Sequence, residues 1–278
     1  FSQKVEAAKK FHIPVYVVKR PVLPGHLVCV TGEHGLRKQI ETHVSDFFPL
    51  RSGFTTGACA TAASKAALLA LLSHEVSESV FIRFPNGEEV SLPIANIEIA
   101  DDYATATVVK DAGDDPDVTD GKSIVSTVRF CSYPGIHFLP GEGVGIVTLP
   151  GLGLEVGEPA INRVPRQMMI QELSSLYEGG LEVTVSVPGG RELAQRTFNP
   201  KLGIIDGISI IGTSGIVRPF SSEAFVNAIR REVEVCKAVG CNHLVINSGA
   251  RSERFLKAEF PELPMQAFVH FGNFIGET

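Results

Sequence analysis

The sequence predicts two units of mixed α and β structure, an α+β sheet-and-helix domain followed by a Rossmann-like α/β domain. Three observations predict it. Residues 80–149 carry short runs of alternating apolar and polar positions broken by Asn, Gly and Pro, the pattern of half-buried strands. From residue 208 onward strand, loop and helix alternate, which calls for parallel strands joined by crossover helices. The 278 residues are enough for two ordinary domains, and 44% hydrophobic against 20% charged residues supplies an ample core. The expected division is a lead segment over 1–48, the α+β domain over 49–195, and the Rossmann-like domain over 196–278, with the boundary near 196–200.

The elements follow in order. In the lead segment, residues 13–18 and 27–30 read as buried strands and 36–44 as a short helix. A short strand and a Gly/Thr turn at 53–57 open a helix that runs to about Leu72. Residues 80–84, the Pro85-Asn86-Gly87 turn and residues 88–94 make a hairpin, with Asn-Gly as its turn signal. Residues 103–110 set Ala104, Ala106 and Val108 against Thr105, Thr107 and Val109, and 124–131 and 144–149 are further strands. Residues 163–177 form a helix with Pro165 in its first turn and Met168, Met169, Ile170, Leu173 and Leu176 as apolar positions. A strand follows at 181–187. Residues 208–211 are a strand leading into Gly212-Thr-Ser-Gly215, and then a helix over 222–239 puts Phe225, Ile229, Val233 and Cys236 on one face. A buried strand at 243–247, a helix from about Ser252 and a strand start at 267–271 close the series.

The net charge of −6 argues against general nucleic-acid or anionic-membrane binding, though an anionic small molecule needs only a local basic pocket. The five cysteines, at 29, 59, 131, 236 and 241, contain no C-x-x-C pair and point to reduced thiols in a cytoplasm. The longest apolar run, 66–72, is far short of a membrane span, and no signal peptide precedes it. The eight histidines form no H-x-x-x-H or H-E-x-x-H motif, so no protein-bound metal is expected. The chain begins with Phe1 rather than Met, which implies a processed or partial start.

Four strings stand out. The first is Arg51-Ser-Gly-Phe-Thr-Thr-Gly-Ala-Cys-Ala-Thr-Ala-Ala63, whose helix start offers backbone N–H groups to an anion, or is a capped helix whose small residues let a sheet pack closely. The second, Lys110-Asp-Ala-Gly-Asp-Asp-Pro-Asp-Val-Thr119, belongs to an acidic stretch with five carboxylates in residues 111–121. Their order does not match an EF-hand, leaving an Asp-capped surface loop or a pair of functional carboxylates. The third runs from Asn199 to Phe220 and contains the Gly212-Thr-Ser-Gly215 turn, which is neither a dinucleotide fingerprint nor a P-loop. The fourth is Ser248-Gly-Ala-Arg-Ser-Glu-Arg254, followed by Phe271-Gly-Asn-Phe-Ile-Gly276.

Together, and in this order along the chain, these strings resemble the cobalt-precorrin-5B C-1 methyltransferases of anaerobic cobalamin biosynthesis. The resemblance covers residues from about 50 to the end. It implies an S5-like fold for the first domain, a Rossmann-like second domain with the active cleft between the two, and a further βα segment beyond a string like 272–276, so that the second domain here is incomplete. It also implies a cytoplasmic enzyme that transfers a methyl group from S-adenosyl-L-methionine to C-1 of cobalt-precorrin-5B. The partners expected are an anionic tetrapyrrole, no nucleic acid and no membrane, with homo-oligomerisation left open. Under this resemblance Asp111, Asp114 and Thr56 are the candidate catalytic residues. Gly212, Thr213, Ser214, Gly215 and Gly249 are candidates for the cofactor. Arg51, Thr55, Arg166, Arg218 and Arg251 are candidates for the carboxylates of the substrate, which Arg binds in bidentate fashion. The four arginines are expected to converge on one cleft. Gly215→Val is expected to abolish binding at little cost in stability if the turn approaches a ligand, and to lower the melting temperature while sparing affinity if the turn is only structural.

Two rival readings stand beside this one. The Gly53–Gly57 turn before a small-residue helix resembles the phosphate loop of S5-like small-molecule kinases, although a P-loop lysine is missing. A non-catalytic tetrapyrrole-binding protein is the other, because methyl transfer needs placement of the reacting atoms in a dry site more than it needs an acid or base.

Overall fold

The computed structural model describes residues 32–44, 50–272, 274 and 276. The strands expected at 13–18 and 27–30 lie outside the described residues. Helix α1 (Gly32–His43) is followed by the two-residue strand β1 (Gly53–Phe54) and helix α2 (Thr56–Ser73). The composition of α2 explains its place. Ala, Cys, Thr, Ser and Leu leave it without a polar face, so it is stable only when covered on all sides. Of its length 78% is buried inside the protein, although by length and composition it could cross a membrane. It begins at Thr55, whose Oγ1 accepts the Ala58 N–H at 3.1 Å, and ends at His74 in the left-handed conformation.

The cover comes from a sheet and a second helix. Strands β2 (Ser79–Arg83) and β3 (Glu89–Pro93) form the expected hairpin, with Gly87 at φ +87° in its turn. Strands β4 (Asn96–Ile99), β5 (Tyr103–Val109), β6 (Ser123–Cys131), β7 (Ile136–Pro140) and β9 (Gly180–Ser186) make a sheet in the order β4-β5-β6-β9-β7, antiparallel except for the parallel β7–β9 pair. Alternate residues of its middle strands, Ala104, Ala106, Val108, Ile124, Val128, Leu181, Val183 and Val185, are buried. The alanines of β5 match the small residues of α2, which lets the helix approach the sheet closely. Helix α3 (Arg163–Ser174) closes the other side with Met168, Met169 and Leu173. Glu172 staples it in place by accepting from Lys65 Nζ at 2.6 Å and from the Arg83 N–H at 2.7 Å.

The strand pair β8 (Ile146–Val147) and β10 (Ile204–Ile205), the five-residue helix α4 (Gly190–Ala194) and the glycines around them form a tightly apposed loop layer. A Cβ on Gly143 would stand 2.0 Å from the Val187 carbonyl oxygen, so backbone meets backbone there. Beyond it, β11 (Ile216–Val217) pairs with β1. Helix α5 (Ser222–Ala238), strand β12 (Val245–Asn247), helix α6 (Ala250–Glu259), a 3₁₀ turn (Met265–Ala267) and strand β13 (Phe268–His270) complete the described chain. β12 and β13 run parallel, with α6 between them in sequence.

The structure corrects several expectations. Residues 208–211 are no ladder strand. Their strand-like pairing is limited to isolated parallel bridges, Val144↔Ile208 and Ile161↔Ile210, because loops rather than a neighbouring strand flank them. The strand expected at 144–149 shrinks to β8, and the helix expected to reach residue 177 stops at Ser174. Between the expected boundary at 196–200 and α5, β10 pairs with β8 and β11 with β1.

Candidate functional site

Three of the four strings meet at the start of α2. The amides there are occupied from within the protein. Thr55 N–H donates to the Gly215 carbonyl at 3.0 Å and Gly57 N–H to the Ile211 carbonyl at 2.9 Å. The Thr56 hydroxyl donates to the Ile211 carbonyl at 3.1 Å and accepts the Ile211 N–H at 3.0 Å, a reciprocal pair that a hydroxyl can make. The helix start is therefore a seam with the Ile211–Gly215 turn, and the anion-binding reading of its N–H groups gives way to the close-packing one. Thr55 and Thr56 are both buried in that seam.

The glycines of the turn serve the same seam. A Cβ on Gly212 (φ +146°) would fall 2.4 Å from Thr55 Oγ1, and one on Gly215 (φ +88°) would fall 2.5 Å from the ring of buried Phe84. Of the two outcomes expected for Gly215→Val, the geometry favours a loss of stability, since the clash lies in the core and at a backbone angle side chains avoid. Between them, Thr213 and Ser214 are exposed, and Ser214 Oγ donates to the Ile216 carbonyl at 3.1 Å.

The acidic loop lies against the other side of β1. Phe54 N–H donates to the Asp111 carbonyl at 2.7 Å, and a Cβ on Gly53 would sit 2.1 Å from the Ala112 carbonyl carbon. Every carboxylate of the loop is engaged. Asp111 accepts from Arg51 Nη1 at 2.5 Å and the Gly113 N–H at 2.9 Å; Asp114 accepts the Arg51 N–H at 2.6 Å. Asp115 accepts the Phe220 N–H at 3.2 Å, and Asp120 accepts the Ala112 N–H at 2.8 Å. Asp117 accepts from Lys110 Nζ at 2.5 Å and from both the N–H and the hydroxyl of Thr119. Burial pushes the Asp111 carboxyl up, but Arg51 and the Gly113 amide outweigh it and hold it below the ordinary carboxylate value. Asp117 is likewise pushed up by burial and drawn net downward by Lys110 and Thr119. Lys110, only 1% exposed, is thus the buried anchor of the loop, a role the sequence did not reveal because Lys seldom lies so deep. Cys59, in the first turn of α2, is pushed by burial up to about 12 and carries no reactive thiolate.

The arginines divide. Arg51 and Arg218 stand on the same β1–β11 ribbon, Arg218 one residue past the Val217 that pairs with Gly53. Arg166 sits on α3, held by Glu158 and by the carbonyls of Pro159 and Ile161, with its guanidinium 5.3 Å from the Phe138 ring centre. It borders a separate cleft of about 490 Å³ with Arg163 and Gln167. Arg251 is exposed in the first turn of α6, where Gly249 is braced by Asn247 Oδ1 and Ser252 Oγ at the end of β12. The structure brings together two of the four arginines expected in one cleft and places the others on α3 and α6.

The Gly/Thr turn, the Asp loop and the segment from Ile211 to Pro219 all fall within the reach of a family model. The family model CbiD matches residues 43–219, more than half of the sequence. The chain belongs to the CbiD family. Among curated relatives, the cobalt-precorrin-5B C(1)-methyltransferase of Geobacillus kaustophilus is 51% identical over 234 residues, covering 82% of this chain and 63% of that protein. The protein of the same name from Pseudomonas savastanoi is 47% identical over 233 residues, with the same coverage. The chain therefore spans 63% of the length of these CbiD relatives. A crystal structure of the cobalamin biosynthesis protein CbiD from Archaeoglobus fulgidus is 32% identical, with 82% of this chain and 72% of that chain covered, at a TM-score of 0.48.

Proposed function

We propose that this CbiD chain carries the methyl transfer named in its relatives: from S-adenosyl-L-methionine to C-1 of cobalt-precorrin-5B, giving cobalt-precorrin-6A and S-adenosylhomocysteine. The observation that carries the proposal is the meeting of three family strings around the start of α2, in a chain about half identical to proteins of that name. In this reading the seam residues Thr55, Thr56, Gly212 and Gly215 shape the site, and Thr213 and Ser214 offer exposed hydroxyls to the methyl donor. Arg51 and Arg218 face the substrate's carboxylates, while Asp111 and Asp114 fix Arg51 at its side chain and its backbone. Arg166, Arg251 and Gly249 hold more distant parts of the two ligands. The sulfonium donor supplies the activated methyl group. The task of the chain's own residues is placement and exclusion of water, which accounts for several kcal/mol of barrier in such reactions. The parallel β12–α6–β13 unit supports the Rossmann-like second domain, and the family's pathway supports a cytoplasmic location.

Isothermal titration tests the reading. S-adenosylhomocysteine should release binding heat and ATP should not. Micromolar ATP binding with no response to S-adenosylhomocysteine would replace methyl transfer with a phosphate-directed function.

A further inference from the structure

Helix α5 ends in a Schellman turn. Gly240 is left-handed at φ +79°, its N–H donates to the Lys237 carbonyl at 3.1 Å, and the Cys241 N–H donates to the Cys236 carbonyl at 3.1 Å. That pattern brings the first and last residues of the turn side by side, where their side chains ordinarily make an apolar contact. Here both are cysteines. Cys236 lies in one small core with Ala267 and Phe268, and Cys241 packs against that same core. Cys236 is 4% exposed, whereas Cys241 is only partly covered.

We infer that Cys236 and Cys241 form a reversible oxidation site, at which a low-molecular-weight disulfide such as glutathione disulfide converts the two thiols into an internal disulfide. The turn already holds the two residues together, so closing the S–S bond asks little of the backbone, whose Cα atoms must stand about 4.4–6.8 Å apart. The order of attack follows from exposure. The Cys241 thiolate attacks one sulfur of the reagent, forming a mixed disulfide and expelling one glutathione thiolate. Cys236 then attacks the Cys241 sulfur, expels the second glutathione, and gives up its proton to it. Two protein thiols are oxidised and one glutathione disulfide is reduced to two thiols. Burial pushes the Cys236 thiol up to about 11, which keeps it from reacting first, while Lys201, ion-paired to Glu232 one turn back, eases its ionisation. The other described cysteines lack this arrangement: Cys59 is wholly buried, and the Cys131 thiol donates to the Tyr133 carbonyl at 3.3 Å.

The test is mass spectrometry of the whole chain exposed to glutathione disulfide. The mass should fall by two hydrogens. Trypsin, which cuts after Arg231, Lys237 and Arg251, should then release residues 232–237 joined to residues 238–251 until dithiothreitol separates them. Cys236→Ser should retain a glutathione on Cys241, and Cys241→Ser should leave Cys236 unmodified. A wild-type protein that stops at a lasting glutathione adduct, links a different pair, or does not react overturns the inference. The outcome is independent of any methyl-transfer activity.

Discussion

The helix α2 and the helix α6 show two ways of holding apolar surface in one chain. α2 lies between a sheet and α3, and 78% of it is buried, polar residues such as Thr61 and Ser64 included. α6 has no buried residue, exposes Phe255 at 65%, and leans on a core of three buried residues, Cys236, Ala267 and Phe268. Around α2 the side chains are covered by neighbours from several distant segments, whereas the core under β12 and β13 is drawn from residues 236–268. Stability should therefore be unevenly distributed, with the region around α2 opening only when the whole protein does and the region around α6 opening on its own.

The largest effect should come from Leu68→Ala, which empties a fully buried site in α2 and should cost about 2–5 kcal/mol in chemical denaturation. Leu256→Ala, at the partly buried edge of α6, should cost less than about 1 kcal/mol and raise hydrogen exchange in α6 alone. Equal losses at the two positions would erase the distinction. Next is Lys110→Met, which strips the acidic loop of its buried counter-charge. It should cost about 3 kcal/mol, the low end for a broken buried pair, because Asp117 keeps 26% of its side chain in water. The acid limb sharpens this. Asp111 and Asp117 titrate lower folded than unfolded, so their contribution is complete above the unfolded value of about 4 and is lost as pH falls through the folded values. Lys110→Met should flatten stability measured across that range, and an unchanged acid limb would remove the anchor role. The smallest effect on stability should be that of Arg51→Ala, about 0–1 kcal/mol, since the Arg51–Asp111 pair is half exposed on both sides. Its effect on substrate affinity should be larger, and a loss of stability without a loss of affinity would make Arg51 a structural residue.

Much of this was legible in the sequence because local patterns dictate it. The Asn86-Gly87 turn, the alternation in β5 and the small-residue face of α2 each force one local answer. The short strands escaped for an equally local reason. β10 and β11 are two residues long, too short to display a period, and exist only where distant loops meet. β7 was missed because it ends in Pro140 and forms a sheet edge, where half-covered residues show no clean alternation. At the site, the strings marked the right segments but not the direction of their hydrogen bonds. The spacing singles out Thr56 as a candidate, but it does not show that its hydroxyl bonds to Ile211, a partner that no spacing rule could supply.

That Thr56–Ile211 pair joins residues 155 positions apart, and its consequence is one of timing. During synthesis at about 5–20 residues per second, α2 must wait roughly 8–30 s for the segment that seals its first turn. Over that interval the start of an all-round apolar helix stands open, and the chain is at its most vulnerable to misassociation. A ribosome that slowed between residues 60 and 210 would lengthen the exposure, so synonymous codon changes there should alter yield without altering a single side chain.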